Sequence, residues 1–408
     1  MQEFCRPLKL TKIQNLVGIT PRNKRVYELM KSLAGARTVE YLEKIGISAT
    51  NVNLDPGLIE MAAKSAKRQY RTKINKWLKV TFLRMQYNWS YQKLSKISPA
   101  FIVVWNGQKG YRRIVSAAAK ATGNSTIFLE EAPLPGRITI DFHGVNAASN
   151  LPRLPEFFTA WHLSNKHIPA ETWREITPAL SSRQANDRND VKQNPAASNL
   201  ADIPYIFVPL QVPGDSQITI FGDWIKSMEH FIDQVFIAQK YLPDNWYIRI
   251  KEHPSARYSL SNFISKKSAS RIKIDNQTDT LEQVASAQAV MTLNSSVGFE
   301  AIFFDKPVII LGDAFYDVPG VVTRAKSLAE LVDYMKQPRA IKFEREIRDA
   351  FMNYVTQVHF PVEDEVLRGR YTIEDVIQRD EMRATILNQI SAIQKPLEPA
   401  RKNYSVEI

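Results

Sequence analysis

Apolar residues fall along this chain in short dense runs separated by mixed stretches. Val290 to Leu293 and Val308 to Leu311 are four-residue runs of aliphatic and β-branched side chains. Such runs mark strands buried on both faces. Between them, Asn294, Ser295 and Ser296 offer capping side chains, and Val297 to Phe304 places apolar residues on more than one face. A buried helix is predicted there. Asp305-Lys306-Pro307 ends it, because proline disfavours helical geometry in the residue before it. The stretch predicts strand, turn, helix, strand, with Gly312 opening an exit loop.

The same rhythm recurs. Phe101 to Trp105 and Thr126 to Leu129 predict strands around a helix from Tyr111 to Ala121. This βαβ pattern implies a parallel sheet beginning at Phe101. A second series predicts strands at Tyr205 to Val208, Trp246 to Ile250 and Ile272 to Ile274, with helices at Trp224 to Lys240 and Thr280 to Ala287. Ser327 to Met335 and the charged tail from Phe343 read as helical, and residues 1–98 as mostly helical. Ser181 to Asn199 has almost no apolar residues and reads as a linker, as does the end from Lys395 to Ile408. No solenoid repeat is present. The fold class expected is α/β, with a first unit over residues 1–200, a second over 201–340 and C-terminal helices over 341–408.

The length of 408 residues suits two domains, and 44% hydrophobic with 24% charged residues is ordinary for a globular protein. No run reaches the ~18 apolar residues of a membrane span, and the first residues lack the apolar core of a secretory signal. A cytoplasmic location is the expectation. Cys5 is the only cysteine, which excludes an intrachain disulfide and a cysteine-cluster metal site. The net charge of +12 favours anionic partners: nucleic acid, acidic lipid, or a charged sugar or nucleotide. Lys64 to Ser95 mixes basic residues with Trp77, Leu78, Phe82 and Trp89. It suits either a helix packed on a core or one lying on an anionic membrane.

Candidate chemistry sits at predicted strand ends, where α/β sheets bind ligands. Ser295 and Ser296, with the N–H groups of a helix start, suit a phosphate. Glu300 lies one turn further along the same face, placed to accept from a ribose. Glu130 and Glu131 follow one strand and Asp141 another, a pattern for acid/base work or for solvated loop carboxylates. His253 closes the strand before Pro254, and a loop from Pro209 to Gln217 follows Val208. Glu363-Asp364-Glu365 reads as a solvated acidic run. Asp187 and Asp190 have no strand before them and are rejected as metal ligands. No metal site is expected.

Taken in order, several segments resemble the retaining β-Kdo glycosyltransferases of bacterial capsule and O-antigen polysaccharide biosynthesis; Kdo is an acidic ketose. The segments are the WNG turn at Trp105, FLEEAPLPG at Phe128, DFHGVN at Asp141, PLQVPGDSQI at Pro209, KEHP at Lys251, and TLNSSVGFEA with KPVIILGDAFY from Thr292. They span Val103 to Tyr316; residues 1–98 and 343–408 match nothing in the resemblance. Capsule-type members often carry Glu-Asp-Gly where this chain has Glu130-Glu131-Ala132, a departure that points to an O-antigen type.

The resemblance implies two Rossmann-like domains facing a cleft, a GT-B-like arrangement. The first would be the acceptor side and the second would bind CMP-Kdo, with the last helices returning to the first. It implies no cofactor beyond the donor substrate. It places His253, Ser295, Ser296 and Glu300 on the donor side, and Glu130, Glu131 and Asp141 on the acceptor side as candidates for the general base; Gly298, Gln211 and Asn146 are further substrate-binding candidates. Lys251 is the candidate cation for the Kdo carboxylate. By analogy with retaining glycosidases, a carboxylate nucleophile is expected. Asp215 is the choice, followed by Asp141 and then Glu131, with loop capping as the rival role of Asp215. The implied partners are CMP-Kdo and a lipid-linked saccharide acceptor, with peripheral contact at the inner membrane face and membership of a larger multi-domain protein. Two other readings stand beside this one. One is transfer from another CMP- or CDP-linked donor, such as a sialyl or polyol-phosphate group. The other is nucleic-acid binding, disfavoured because the basic residues are dispersed and no recognised motif occurs.

Overall fold

The structure is a computed structural model. It describes residues 15–18, 23–41, 46–65, 72–182, 191–193, 200, 203–256, 259–267 and 271–394. Most of the predicted 181–199 linker, with Asp187 and Asp190, lies outside these residues, as does the stretch from Lys395.

The first unit is built on a five-stranded sheet of order β2-β1-β3-β4-β5. Its strands are β1 (Asn15–Gly18), β2 (Thr38–Tyr41), β3 (Phe101–Trp105), β4 (Ser125–Glu131) and β5 (Ile138–Asp141). All pairs are parallel except β4 with β5. The sheet therefore begins well before Phe101, and residues 1–98 are not simply helical. They hold two strands together with α1 (Lys24–Leu33), α2 (Pro56–Ser65) and α3 (Lys73–Ile97). Thr72 caps α3 by accepting the Asn75 N–H at 3.2 Å, and Ser98 ends it in the left-handed region. The crossover α4 (Gly110–Ala121) joins β3 to β4 and packs with α2 and α3 over Ile102 and Val104. After β5 the chain forms α5 (Pro155–Ser164).

The second unit is a fully parallel six-stranded sheet of order β11-β10-β9-β6-β7-β8. In chain order its elements are β6 (Tyr205–Pro209), α6 (Ser216–Phe221), α7 (Met228–Ala238), β7 (Tyr247–Lys251), α8 (Ser261–Ser265), β8 (Ile272–Ile274), α9 (Thr280–Ser286), β9 (Ala289–Thr292), α10 (Ser296–Ile302), β10 (Val308–Ile310), β11 (Thr323–Arg324) and α11 (Leu328–Lys336). Numbered within the unit, this is the order 3-2-1-4-5-6 read from one edge, that of the Rossmann fold. The order reverses between β6 and β9, so a crevice opens beyond their carboxyl ends. Both strands are wholly buried, which explains why their sequences read as unbroken apolar runs.

The chain then turns back. α12 (Arg345–Tyr354) packs on α5, and α13 (Glu363–Leu367) on α1. Arg137 and Val362 form an antiparallel bridge beside β5. In α14 (Ile373–Gln394), Arg379 donates to the Ile140 carbonyl at 2.6 Å, and Arg383 donates to the Tyr354 hydroxyl at 2.6 Å. Glu363 pairs with Arg25 and is mostly buried, so the acidic run is not simply solvated. The segment from α5 to Ala179 shares one apolar cluster with the second sheet, where Trp173 packs edge-on against Phe303 at 5.4 Å.

Candidate functional site

The second unit presents its switch-point loops to the first. Asn294 is their hub. Its amide Nδ2 donates to the carbonyls of Gln217 (2.8 Å), Phe221 (3.1 Å) and Asp313 (3.1 Å), and its Oδ1 accepts from Gln211 Nε2 at 3.0 Å. A buried amide bonded four ways fixes the loops after β6, α6 and β10 in one geometry. Ser295 then caps α10, its Oγ accepting the Val297 N–H at 3.2 Å, and Ser296 is the first helical residue. Tyr316 supports this turn by donating its hydroxyl to the Ser295 carbonyl at 2.6 Å. Gly214 at φ +77 turns the loop after β6, and Asp215 caps α6 by accepting the Gln217 N–H at 3.4 Å. His253 Nδ1 accepts the Ser255 N–H at 3.0 Å, which leaves the proton of a neutral ring on Nε2.

The first unit contributes the carboxyl ends of β3 and β4. Asn106, at φ +63, accepts the Gln108 N–H through its side chain at 3.1 Å and donates Nδ2 to Glu130. Burial pushes the Glu130 carboxyl above the ordinary range, and the Asn106 amide partly offsets this. Lys109, just before α4, reaches across to Asp215, Nζ to Oδ1 at 3.4 Å. Together these groups line a polar cavity of about 330 Å³ with Glu131, Asn146, Gln211, His253, Ser295 and Ser296. That is the size range of small-molecule sites. Beside it runs a narrower recess lined by Pro209, Leu210, His253, Thr280 and Glu300.

Most sequence-predicted residues therefore meet here, from both sides. Three do not act as expected, and two are modified. Lys251 is buried and donates Nζ to the carbonyls of Asn276 (2.9 Å) and Thr278 (2.5 Å); burial lowers its pKa to about 8. Its ammonium braces the loop after β8; its side chain lines the narrower recess and is not among the residues lining the larger cavity. Asp141 is fully buried and accepts the N–H groups of His143 (2.8 Å), Gly144 (3.1 Å) and Asn150 (3.2 Å), with Arg383 at 3.7 Å. It organises its own loop. Gly298 faces Tyr316 and not the cavity; a Cβ there would lie 2.4 Å from the tyrosine oxygen. Glu131 lines the cavity while paired to Arg25 at 2.6 Å, and Glu300 lines the recess. Lys109 and the hub role of Asn294 were missed. A basic residue just past a strand's carboxyl end was the available signal for Lys109.

Among the described residues, no three His, Cys, Asp or Glu side chains are placed to hold a metal ion. The cavity instead brings together hydroxyls, a helix start, an imidazole, one ammonium and carboxylates from both walls.

Fold and cleft together define a two-domain α/β protein of GT-B-like arrangement, with a polar cavity at the switch point of its second sheet. The profile of the family described as "Capsule polysaccharide biosynthesis protein" matches residues 100–198 and 180–361. The chain belongs to that family. It is 32% identical over 247 residues to Protein FixF of Sinorhizobium fredii, covering 60% of this chain and 54% of that one. To the capsule polysaccharide export protein KpsS of Escherichia coli it is 27% identical, covering 50% of this chain and 64% of that one. The chain thus spans 54% and 64% of the length of these two curated relatives. Among solved structures, the "KpsC, beta Kdo 2,7 transferase" of Thermosulfurimonas dismutans is similar at a TM-score of 0.45 and 15% identity, covering 88% of this chain and 98% of that one.

Proposed function

We propose that the chain is a retaining glycosyltransferase that moves β-Kdo from CMP-Kdo to a saccharide acceptor in capsule or O-antigen synthesis. One observation carries the reading. Asp215 and Lys109 meet across the cleft beside the Ser295–Ser296 turn, so a nucleophilic carboxylate, a cation and a phosphate-suited turn share one cavity. Family membership and the segments from Trp105 to Tyr316 support it.

In this reading the CMP phosphate lies against Ser295, Ser296 and His253 Nε2, whose donors stabilise the charge that develops on the leaving group. The nucleoside extends into the recess, with Glu300 accepting from the ribose. Lys109 takes the role first considered for Lys251 and holds the carboxylate of the acidic sugar. Asp215 attacks the anomeric carbon; the carbon–oxygen bond to the phosphate breaks and CMP departs with the electron pair. The acceptor hydroxyl then displaces Asp215 from the opposite face while Glu130 takes its proton. Two inversions give retention. The acceptor is a lipid-linked saccharide at the cytoplasmic side of the membrane.

Intact-protein mass spectrometry tests the proposal. Incubation with CMP-Kdo should add one Kdo mass to the wild type and none to Asp215→Asn. An adduct from a different CMP- or CDP-linked donor, with none from CMP-Kdo, would replace the donor assignment.

A further inference from the structure

α3 carries an apolar stripe that stands exposed among the described residues. Ile74, Trp77, Leu78 and Phe82 are 71%, 65%, 52% and 50% exposed. Their spacing of three, four and eight residues from Ile74 puts them on one face of the helix. Ile47, also exposed, extends the stripe, because the Ser48 N–H donates at 3.0 Å to the Met85 carbonyl, one turn beyond Phe82. Core packing does not need this face. Leu83, Tyr87 and Leu94, on another side, already bury α3 against α2 and α4.

Charge on this helix has one sign. Its sequence, KINKWLKVTFLRMQYNWSYQKLSKI, contains no aspartate or glutamate. Lys73 and Arg84 are exposed beside the stripe, whereas Lys76 turns away from it to α2 and pairs with Glu60 at 2.9 Å. A second copy of this chain would bring like charges together here. A surface that is negative outside and apolar just beneath complements the helix in both respects.

Position adds a third argument. At 1.5 Å per residue, α3 is about 37 Å long, whereas β3 spans about 16 Å. Ser98 to Ala100 join the end of α3 to the start of β3, so the two run in opposite directions. The first turns of α3 therefore stand at the carboxyl edge of the sheet, where Asn106 and Lys109 line the cleft. No helix among the described residues is long and apolar enough to cross a membrane, so contact would be on the surface.

We propose that the first half of α3 is a docking face for an anionic lipid bilayer. Trp77, Leu78 and Phe82 enter the headgroup boundary, with Lys73 and Arg84 among the lipid phosphates. Docking there sets the cleft close to the membrane plane, within reach of a saccharide carried on a lipid.

Flotation with phosphatidylcholine vesicles, with and without phosphatidylglycerol, tests this without donor or acceptor, so it is separate from the transfer reaction. The whole chain should float with the anionic vesicles and lose that binding at high salt. Trp77→Ser with Phe82→Ser should lower partitioning at least about tenfold, and Lys73→Glu with Arg84→Glu should do the same, both with unchanged melting temperature. Absence of binding to anionic vesicles, equal binding to neutral ones, or wild-type binding by the folded variants would overturn the proposal. So would a dimer in sedimentation velocity that either variant dissolves, which would make this face a protein interface.

Discussion

Lys109 and Asp215 face each other from opposite walls of the cleft, Nζ to Oδ1 at 3.4 Å, and each sits at the start of a helix. Both side chains are about 40% exposed, so the pair itself adds little stability, under about 1 kcal/mol. Lys109→Met should leave the melting temperature within about 2 °C of wild type. It should raise the KM for an anionic sugar donor at least about tenfold, measured by initial rates. An unchanged KM would remove Lys109 from donor recognition.

Asp215 has two roles to separate, because it also caps α6. Asn and Ser cap almost as well as Asp, whereas Ala costs about 1 kcal/mol. Asp215→Asn should therefore keep wild-type stability by thermal melting while losing turnover at least about a thousandfold. If Asp215→Asn retained substantial turnover, a front-face route or Glu131 would take its place.

The nucleotide prediction concerns affinity. Ser296→Leu and His253→Ala should each weaken CMP binding about tenfold or more by calorimetry, a loss of one charge-assisted hydrogen bond. The wild-type affinity should be the same in EDTA, since hydroxyls, backbone N–H groups and an imidazole suffice for one phosphate. Restoration by magnesium after a chelator-induced loss would contradict this.

Glu130 makes a prediction about pH. Burial raises its folded-state pKa. A general base must be ionised, so the rate should climb with pH through a limb above the ordinary glutamate value of ~4.3. Glu130→Gln should abolish that limb in a kcat/KM profile. The stability sign also follows. The folded state holds this proton more tightly than the unfolded chain, so the contribution is present at low pH and lost as pH rises through the raised value. Glu130→Gln should accordingly be no less stable than wild type at neutral pH.

Gly298 gives a packing prediction. Gly298→Ala drives a Cβ to 2.4 Å from the Tyr316 oxygen and 2.8 Å from Thr292 Cγ2. The cost should be about 1–3 kcal/mol in denaturant unfolding. Adding Tyr316→Phe removes the nearest atom and should recover part of that loss. Additive losses would show that the hydroxyl is not the obstacle.

Much of the second unit was legible because its strands are buried on both faces. Runs such as Ile206 to Val208 and Val290 to Thr292 have one physical reading, and Pro307 and Gly312 punctuate them. Asn15–Gly18 and Thr38–Tyr41 were not legible: four residues each, mixing polar and apolar positions, they become strands only by pairing with β3 and each other. The site divided in the same way. Ser295 and Asp215 could be placed because a strand-end turn signals them locally. Lys251 misled, since nothing near it in sequence shows that Asn276 and Thr278 take its ammonium. Lys109 stayed hidden because its partner lies 106 residues away, on the other unit.

The returning C-terminal helices have a consequence for how this architecture can be divided. Phe351 in α12 packs edge-on against Phe158 (5.1 Å) and Phe299 (6.5 Å), one on each side of the domain boundary, while Arg379, through the Ile140 carbonyl, and Arg383, through the Asn150 side chain, fasten α14 to the first unit. A gene fragment ending at residue 340 would encode both sheets yet leave these aromatic faces bare. Exchange of second units between relatives is therefore not a single cut-and-join event. A workable chimera must carry the last helices of the parent that supplies the first half, so recombination here needs two crossover points.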